Sequence, residues 1–238
     1  MCAEKVAREF NISRVDQDKF SLRSQEKALK AIEAGALSDE ITPIKLPLKK
    51  GEKEHRIFSV DEHPRNTSLE KLSKLKGVVS SEGTITAGNA SGINDGAVAT
   101  LIASEEMIKK YNLKPLARIK GAIATGVRPE IMGIGPVPAE KALLSRYKLQ
   151  TKDIGYWELN EAFASQCLAV MRSLELADDA SNVNIHGGAI AFGHPLGASG
   201  ARITLHAARV LAQSTERYAI ASMCVGVGQG STILLERV

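Results

Sequence analysis

Cysteine is scarce in these 238 residues: Cys2, Cys167 and Cys224 stand far apart, and no Cys-x-x-Cys pair occurs. So odd and sparse a set argues against a disulfide framework and fits a reducing compartment. The five histidines, at positions 55, 63, 186, 194 and 206, include no His-x-x-x-His pair, and no metal is expected. No apolar run approaches about 20 residues and no signal-peptide pattern opens the chain, so the expectation is a cytoplasmic protein without a membrane span. Aromatic residues are only 4% and the net charge of +4 is mild. A nucleic-acid binder would want a concentrated basic stripe with aromatics between, so no nucleic-acid partner is expected. The lysine-rich stretch at 45–53 reads instead as a solvated loop. No internal period of 20–50 residues is visible, and no Gly-x-x-x-x-Gly-Lys-Ser/Thr phosphate loop exists.

What is present is ordinary in bulk: 44% hydrophobic and 24% charged residues, enough for one large core or two smaller ones. Met1 to Arg8 reads as mid-helix sequence with no leader before it, as in a chain that starts inside a larger protein. Ser13 is placed to cap a second helix, with Asp16 at its third position and an apolar stripe of Val15, Phe20, Leu22, Ala28, Leu29 and Ile32 up to Gly35. Residues 36–84 are polar and broken by Pro43, Pro47 and Pro64, so they read as loops around short elements. Further on, the pattern predicts helices at 97–110, 138–147, 161–174 and 197–212, and strands at 116–125, 154–159, 218–224 and 231–237. That alternation describes a layered α/β fold with a mixed sheet.

The chemistry gathers in two glycine-rich segments. His186-Gly-Gly-Ala-Ile-Ala-Phe-Gly-His-Pro-Leu-Gly-Ala-Ser-Gly-Ala-Arg202 surrounds two histidines with five glycines, and Cys224-Val-Gly-Val-Gly-Gln-Gly230 sets a thiol at the mouth of a turn. Glycine costs about 0.5–1 kcal/mol relative to alanine inside a helix or strand, so such density marks close backbone approach or positive φ. His194, between Gly193 and Pro195, is either a loop histidine bonded to a carbonyl or a base able to take a thiol proton. Cys224 is either a buried structural thiol or, beside exposed backbone N–H groups, one with a lowered pKa. Asn160 ends a strand, where α/β sites collect, or caps the next helix. An imidazole and a thiol beside exposed N–H groups suggest acyl transfer.

Taken together, Thr86-Ala-Gly-Asn-Ala-Ser-Gly-Ile-Asn-Asp-Gly96, Asn160-Glu-Ala-Phe-Ala and the two glycine-rich segments resemble thiolases, the coenzyme A acetyltransferases that cleave or form 3-oxoacyl-CoA. His63-Pro-Arg65 and Ile131-Met-Gly-Ile-Gly-Pro-Val-Pro138 are similar to 3-oxoadipyl-CoA or broad 3-oxoacyl-CoA members. The resemblance implies a thiolase-like C-terminal half, with a five-stranded mixed sheet and part of a loop domain. It divides the chain into a coenzyme A-covering subdomain at 1–84, a remnant of the N-terminal core domain at 85–112 and the C-terminal domain at 113–238. It also implies roles. His194 would activate a nucleophilic cysteine and, with a water on Asn160, form an oxyanion hole for the substrate thioester oxygen. Cys224 would move the proton at the α-carbon or on the leaving group, and the Gly226 N–H would serve a second oxyanion hole. Ser91 and Phe163 would line the pantetheine channel and Arg65 would meet the coenzyme A nucleotide. Acyl-CoA and coenzyme A are the implied substrates, with no separate cofactor, in a homo-oligomer. The nucleophilic cysteine of such enzymes lies in an N-terminal segment that has no match here, which predicts an inactive chain until that half is supplied. A split-enzyme subunit or a non-catalytic acyl-CoA binder are the alternatives.

Overall fold

The computed structural model describes residues 2–48, 51 and 54–238; of the lysine-rich stretch, Lys49, Lys50 and Lys53 lie outside the described residues. Helix α1 (Cys2–Glu9) leads into α2 (Arg14–Glu33). The expected cap is present: Ser13 Oγ accepts from the Asp16 N–H at 3.1 Å and the Asp16 carboxylate accepts from the Ser13 N–H at 3.2 Å. The expected apolar stripe is corrected. Val15 is exposed, and α2 instead buries Gln17, Asp18, Ser21, Ser24 and Gln25 beside Phe20 and Ala28. Asp18, Ser24 and Gln25 are partnered by Asn89, Glu161 and Ile190 of other segments, so the helix docks through hydrogen bonds as well as through apolar area.

Among its described residues the polar excursion holds a two-stranded antiparallel ribbon, β1 (Ile44–Lys45) with β2 (Ile57–Phe58), and the short helix α3 (Leu69–Ser73), as its composition suggested. The helix expected at 97–110 shrinks to α4 (Glu105–Tyr111), capped by Ser104. Ile93, Leu101 and Ile102 are 101%, 83% and 76% exposed, so nothing among the described residues packs on the apolar face that would support a longer helix.

After α4 come β3 (Arg118–Gly126), α5 (Pro136–Tyr147), β4 (Tyr156–Leu159), α6 (Ala164–Ser173), α7 (Ala189–Phe192), α8 (Leu196–Ala212) and the hairpin β5 (Tyr218–Val225) with β6 (Gln229–Glu236). The sheet order is β3-β6-β5-β4, with β4 and β5 parallel and the other pairs antiparallel. The sheet therefore has four strands, not the five expected. The fifth position is held by a single bridge of Val183 to Trp157. Asn184 turns to φ 46 directly after it, and its side chain bonds both the N–H and the carbonyl of Leu159, replacing the ladder that a strand would have continued.

Alternation along β5 sorts its two faces. Ala219 and Ala221 pack with Ile203, Ala207 and Leu211 of α8, whereas Ile220 joins Trp157, Leu143, Leu168 and Leu234 under α5 and α6. Cys167, on α6, is fully buried in the second cluster, as expected of a packed cysteine. Within this core Glu140 of α5 sets its carboxylate 2.6 Å from Ser222 Oγ and leaves its other oxygen without a partner. Burial pushes this acid from an ordinary 4.5 up to about 8. The folded chain thus keeps a proton that the unfolded chain releases, and stability falls as pH rises across that interval. At about 1.36 kcal/mol per unit the loss is roughly 4 kcal/mol. Denaturant titrations at about pH 5 and about pH 8 should show this loss in the parent and a much smaller one in Glu140→Gln. Equal pH dependence in both proteins would refute the assignment.

Candidate active site

The C-terminal ends of β4 and β5 and the start of α8 converge, and the candidate residues lie there. Asn160 directly follows β4, fully buried, with its backbone N–H donating to the Ser222 carbonyl at 2.9 Å. It does not cap α6, whose cap position is Phe163. Its side-chain Nδ2 lies 3.3 Å from His194 Nε2. On the other side of the ring, His194 Nδ1 lies 2.6 Å from Ser199 Oγ, which donates its own proton to the Pro195 carbonyl at 3.0 Å. A hydroxyl has one proton to give, so His194 Nδ1 carries the N–H and Nε2 the lone pair. Burial, and then the charge of Arg202, hold the His194 pKa below its ordinary value. The imidazole is therefore neutral at neutral pH, a base aimed at Asn160. Asn160 Oδ1 is buried with no partner among the described residues, so it can accept a hydrogen bond from something else in the site.

His194 is held there by its glycines. Gly193 adopts φ 92, and a Cβ on it would lie 2.1 Å from Asn94 Oδ1. That close approach lets the His194 N–H reach the Gly92 carbonyl at 3.0 Å and brings the 91–94 loop against the histidine. The same loop brings Ser91 beside Phe163: Ala90 bridges Phe163, and the Ser91 N–H donates to the Ala162 carbonyl at 3.0 Å. Arg65 is exposed at the periphery, its backbone N–H on Gln25 Oε1 at 2.8 Å.

Cys224 lies near the end of β5 and shares no hydrogen bond with His194 among the described residues. The lowered pKa entertained for its thiol is not found: burial, and then the neighbourhood of Cys2, push it up to about 11. It rests as a thiol, suited to giving a proton and to taking one back from a strong base. The turn beyond it is tightly seated, since a Cβ on Gly230 would lie 1.9 Å from the Gly135 carbonyl carbon. Gly226, by contrast, faces open space. Between them Val227 holds φ 67, a left-handed conformation that costs an L-residue about 1–2 kcal/mol. Its side chain is exposed, so Val227→Asn should raise stability by about 1 kcal/mol, read as a higher denaturation midpoint. A lower midpoint would show that the valine is packed after all.

Two supporting residues carried no assigned role in the sequence. Ser199 stood inside the glycine-rich segment, and only the fold shows that one helical turn returns it to the ring. Glu161 follows Asn160 and is buried, accepting from Ser24 Oγ at 2.6 Å, Asn184 Nδ2 at 2.8 Å and the Ile190 N–H at 3.1 Å. Among the described residues no cluster of three or more His, Cys, Asp or Glu is arranged to hold a metal ion, and no helix is long and apolar enough to cross a membrane.

Residues 113–237 match the family model described as thiolase, C-terminal domain, and residues 1–106 match thiolase, N-terminal domain. The chain belongs to the thiolase family. It is 52% identical over 237 residues to the beta-ketoadipyl-CoA thiolase of Acinetobacter baylyi, covering 99% of this chain and 59% of that protein. It is likewise 52% identical over 240 residues to the 3-oxoadipyl-CoA/3-oxo-5,6-dehydrosuberyl-CoA thiolase of Escherichia coli, again 99% and 59%. Among solved structures, human mitochondrial 3-ketoacyl-CoA thiolase superposes with a TM-score of 0.94 at 48% identity, over all of this chain and 59% of that one. That enzyme is also known in complex with CoA, where the TM-score is 0.92. This thiolase-family chain thus spans about three-fifths of the length of its relatives.

The tautomer assignment is directly testable. Ser199→Ala removes the acceptor at Nδ1, worth about 0.5–1.5 kcal/mol, enough to shift the tautomer ratio by up to about tenfold. Nitrogen-15 spectra of the histidine rings should show His194 as the Nδ1–H tautomer in the parent and a mixture in the variant. An unchanged ring signal would mean that Ser199 does not orient it.

Proposed function

We propose that the complete protein is a thiolase-type acyltransferase, cleaving 3-oxoacyl-CoA by thiolysis or running the reverse Claisen condensation. The observation that carries this reading is the neutral His194 ring, its Nδ1 committed to Ser199 and its Nε2 facing Asn160. The names of the relatives support 3-oxoadipyl-CoA as the first substrate to try.

In this reading His194 Nε2 takes the proton of a nucleophilic thiol. That thiol adds to the 3-oxo carbon, and the resulting His194 N–H faces the thioester oxygen, on which negative charge develops as the C2–C3 bond breaks. A water on Asn160 Oδ1 supplies a second donor to that oxyanion, and preorganised donors of this kind are usually the largest catalytic term. Collapse breaks the C2–C3 bond, and the Cys224 thiol protonates the departing α-carbon. The Cys224 thiolate then takes the proton of incoming coenzyme A, whose sulfur adds to the acyl carbon; the bond to the nucleophilic sulfur breaks and that thiolate regains its proton from His194. The Gly226 N–H serves the second oxyanion, Ser91 and Phe163 flank the pantetheine arm, and Arg65 meets the nucleotide. Coenzyme A is a substrate here and no further cofactor enters.

The nucleophilic thiol belongs to none of the three cysteines of this chain in this reading. Cys167 is sealed in the core, with burial raising its pKa well above the ordinary value, Cys224 has the proton to move, and Cys2, which opens α1, stands in no motif that matches the nucleophile. The thiol comes from a segment outside these residues, whether of the same protein or of a separate one, and the exposed apolar side chains at 93, 101 and 102 are suited to receive it. The 238-residue chain should therefore show no thiolysis of 3-oxoadipyl-CoA or acetoacetyl-CoA alone. The complete form should turn over, and His194→Ala should lower its kcat by about 10²–10⁴-fold. Turnover by the chain alone that His194→Ala abolishes would refute an external nucleophile, and turnover of the complete form that survives His194→Ala would refute the role of His194. Calorimetric binding of acetyl-CoA without turnover in the complete form would favour a non-catalytic acyl-CoA binder instead.

A further inference from the structure

Away from the catalytic cluster, a second group of titratable side chains joins three segments that are distant in sequence. His206 of α8 is buried, with Nδ1 2.7 Å from Glu40 Oε1 and Nε2 3.2 Å from His186 Nδ1. Glu158 of β4, also buried, lies 3.6 Å from the same Nε2. Arg202, one turn earlier on α8, is the cation facing the group, and Asp39 and Arg209 line the small cleft beside Glu40 and His186. Glu40 belongs to the segment that leaves α2 toward the β1–β2 ribbon. His186 opens the glycine-rich segment that carries His194, and α8 also carries Ser199. The proposed mechanism uses none of these four groups.

The charges around His206 bias its protonation. The ring stands between two carboxylates, Glu40 2.7 Å from Nδ1 and Glu158 3.6 Å from Nε2, and this setting favours the imidazolium, which donates from both nitrogens, with His186 neutral to accept. The electrostatics agree. Burial works against charge on His206, but Glu158 and then Glu40 outweigh it and its pKa is raised. Burial and the charge of His206 lower that of His186. Each histidine stabilises the other's opposite state.

We propose that Glu40, His206 and His186 form a pH-gated clasp that holds residues 34–48 against α8, closed only between the titrations of the two histidines. A raised folded-state pKa at His206 means its contribution is present below the ordinary histidine value and is lost as pH rises through the raised one. Neutral His206 leaves Glu40 and Glu158 without a counter-charge and weakens the bond to Glu40. A lowered folded-state pKa at His186 works in the opposite sense, present above the ordinary value and lost as pH falls through the lowered one. Protonated His186 cannot accept, and two imidazoliums then face each other across a hydrogen-bond distance. The clasp thus opens on both sides of neutrality, and the element it frees is the one leading from α2 into the ribbon. This holds whichever reaction the complete protein performs.

Amide hydrogen exchange of residues 36–48 in the 238-residue chain, corrected for intrinsic rates, tests this between about pH 5 and about pH 9. Protection should peak near neutrality and fall about tenfold for each unit beyond either titration. His186→Asn should remove the acid limb. Glu40→Gln and His206→Gln should remove the alkaline limb and lower the peak. Carbon-13 titration of the rings should give one histidine above and one below the ordinary value. Protection in β5 and β6 reports folding of each variant; if His206→Gln loses it, Glu40→Gln, at the surface side of the pair, decides alone. Protection of 36–48 that is flat with pH in the parent, or profiles identical in parent and variants, would overturn the clasp.

Discussion

One buried carboxylate organises the region on which the chemistry depends. Glu161 accepts hydrogen bonds from Ser24 of α2, from Asn184 beyond the residual fifth strand and from the backbone of Ile190 at the start of α7. α2, whose Ser24 lies 137 residues away in the chain, is thereby held at one point with the segment that leads into α7. Removing a carboxylate from water is costly, and burial raises its pKa, but three donors and the nearby charge of Arg202 offset that penalty. The geometry follows from the anchor. With Ile190 fixed, α7 and Gly193 deliver His194 to the end of β4, where the residue before Glu161 is Asn160. The carboxylate and the amide that meets the histidine are chain neighbours, so any displacement of one is transmitted to the other.

Much of this was legible in the residues themselves. The clustering of glycines located the site because close approach demands a missing Cβ, and at Gly193 and Gly230 the fold shows the atoms that a side chain would strike. The Ser13 capping box and the strand–helix alternation from β3 to β6 follow from local chemistry and are found where expected. The failures are non-local. The polar face of α2 cannot be read as buried without knowing that Glu161, Ile190 and Val183 lie opposite it. The fifth strand fails because Asn184 spends its side chain on Leu159, a contact across 25 residues. The long helix at 97–110 fails because its pattern needs a partner surface that the described residues do not provide.

Charge states in the site divide along the same lines. His194 and Cys224 are both shifted chiefly by burial, yet in opposite chemical senses: the base is kept free of its proton and the acid is kept in possession of one. Burial disfavours whichever form is charged, so a single physical effect prepares two complementary reactants. A solvent-open site would have left the imidazole partly charged near neutral pH. The residual solvation is supplied selectively, through Ser199 at one ring nitrogen and Asn160 at the other.

The same economy extends along α8. Ser199, Arg202 and His206 follow one another at helical spacing on one face, so a rigid rod carries the group that orients His194, the cation that the buried carboxylates share, and the imidazolium that meets Glu40. Apolar packing of Ile203, Ala207 and Leu211 on β5 keeps the rod in place from the other side. A helix seated by apolar contacts on one face is free to present a wholly electrostatic face on the other. The glycine-rich segment is therefore held at both ends by α8, through His186 at its start and His194 at its end. Its backbone needs no regular structure of its own to be held in one conformation.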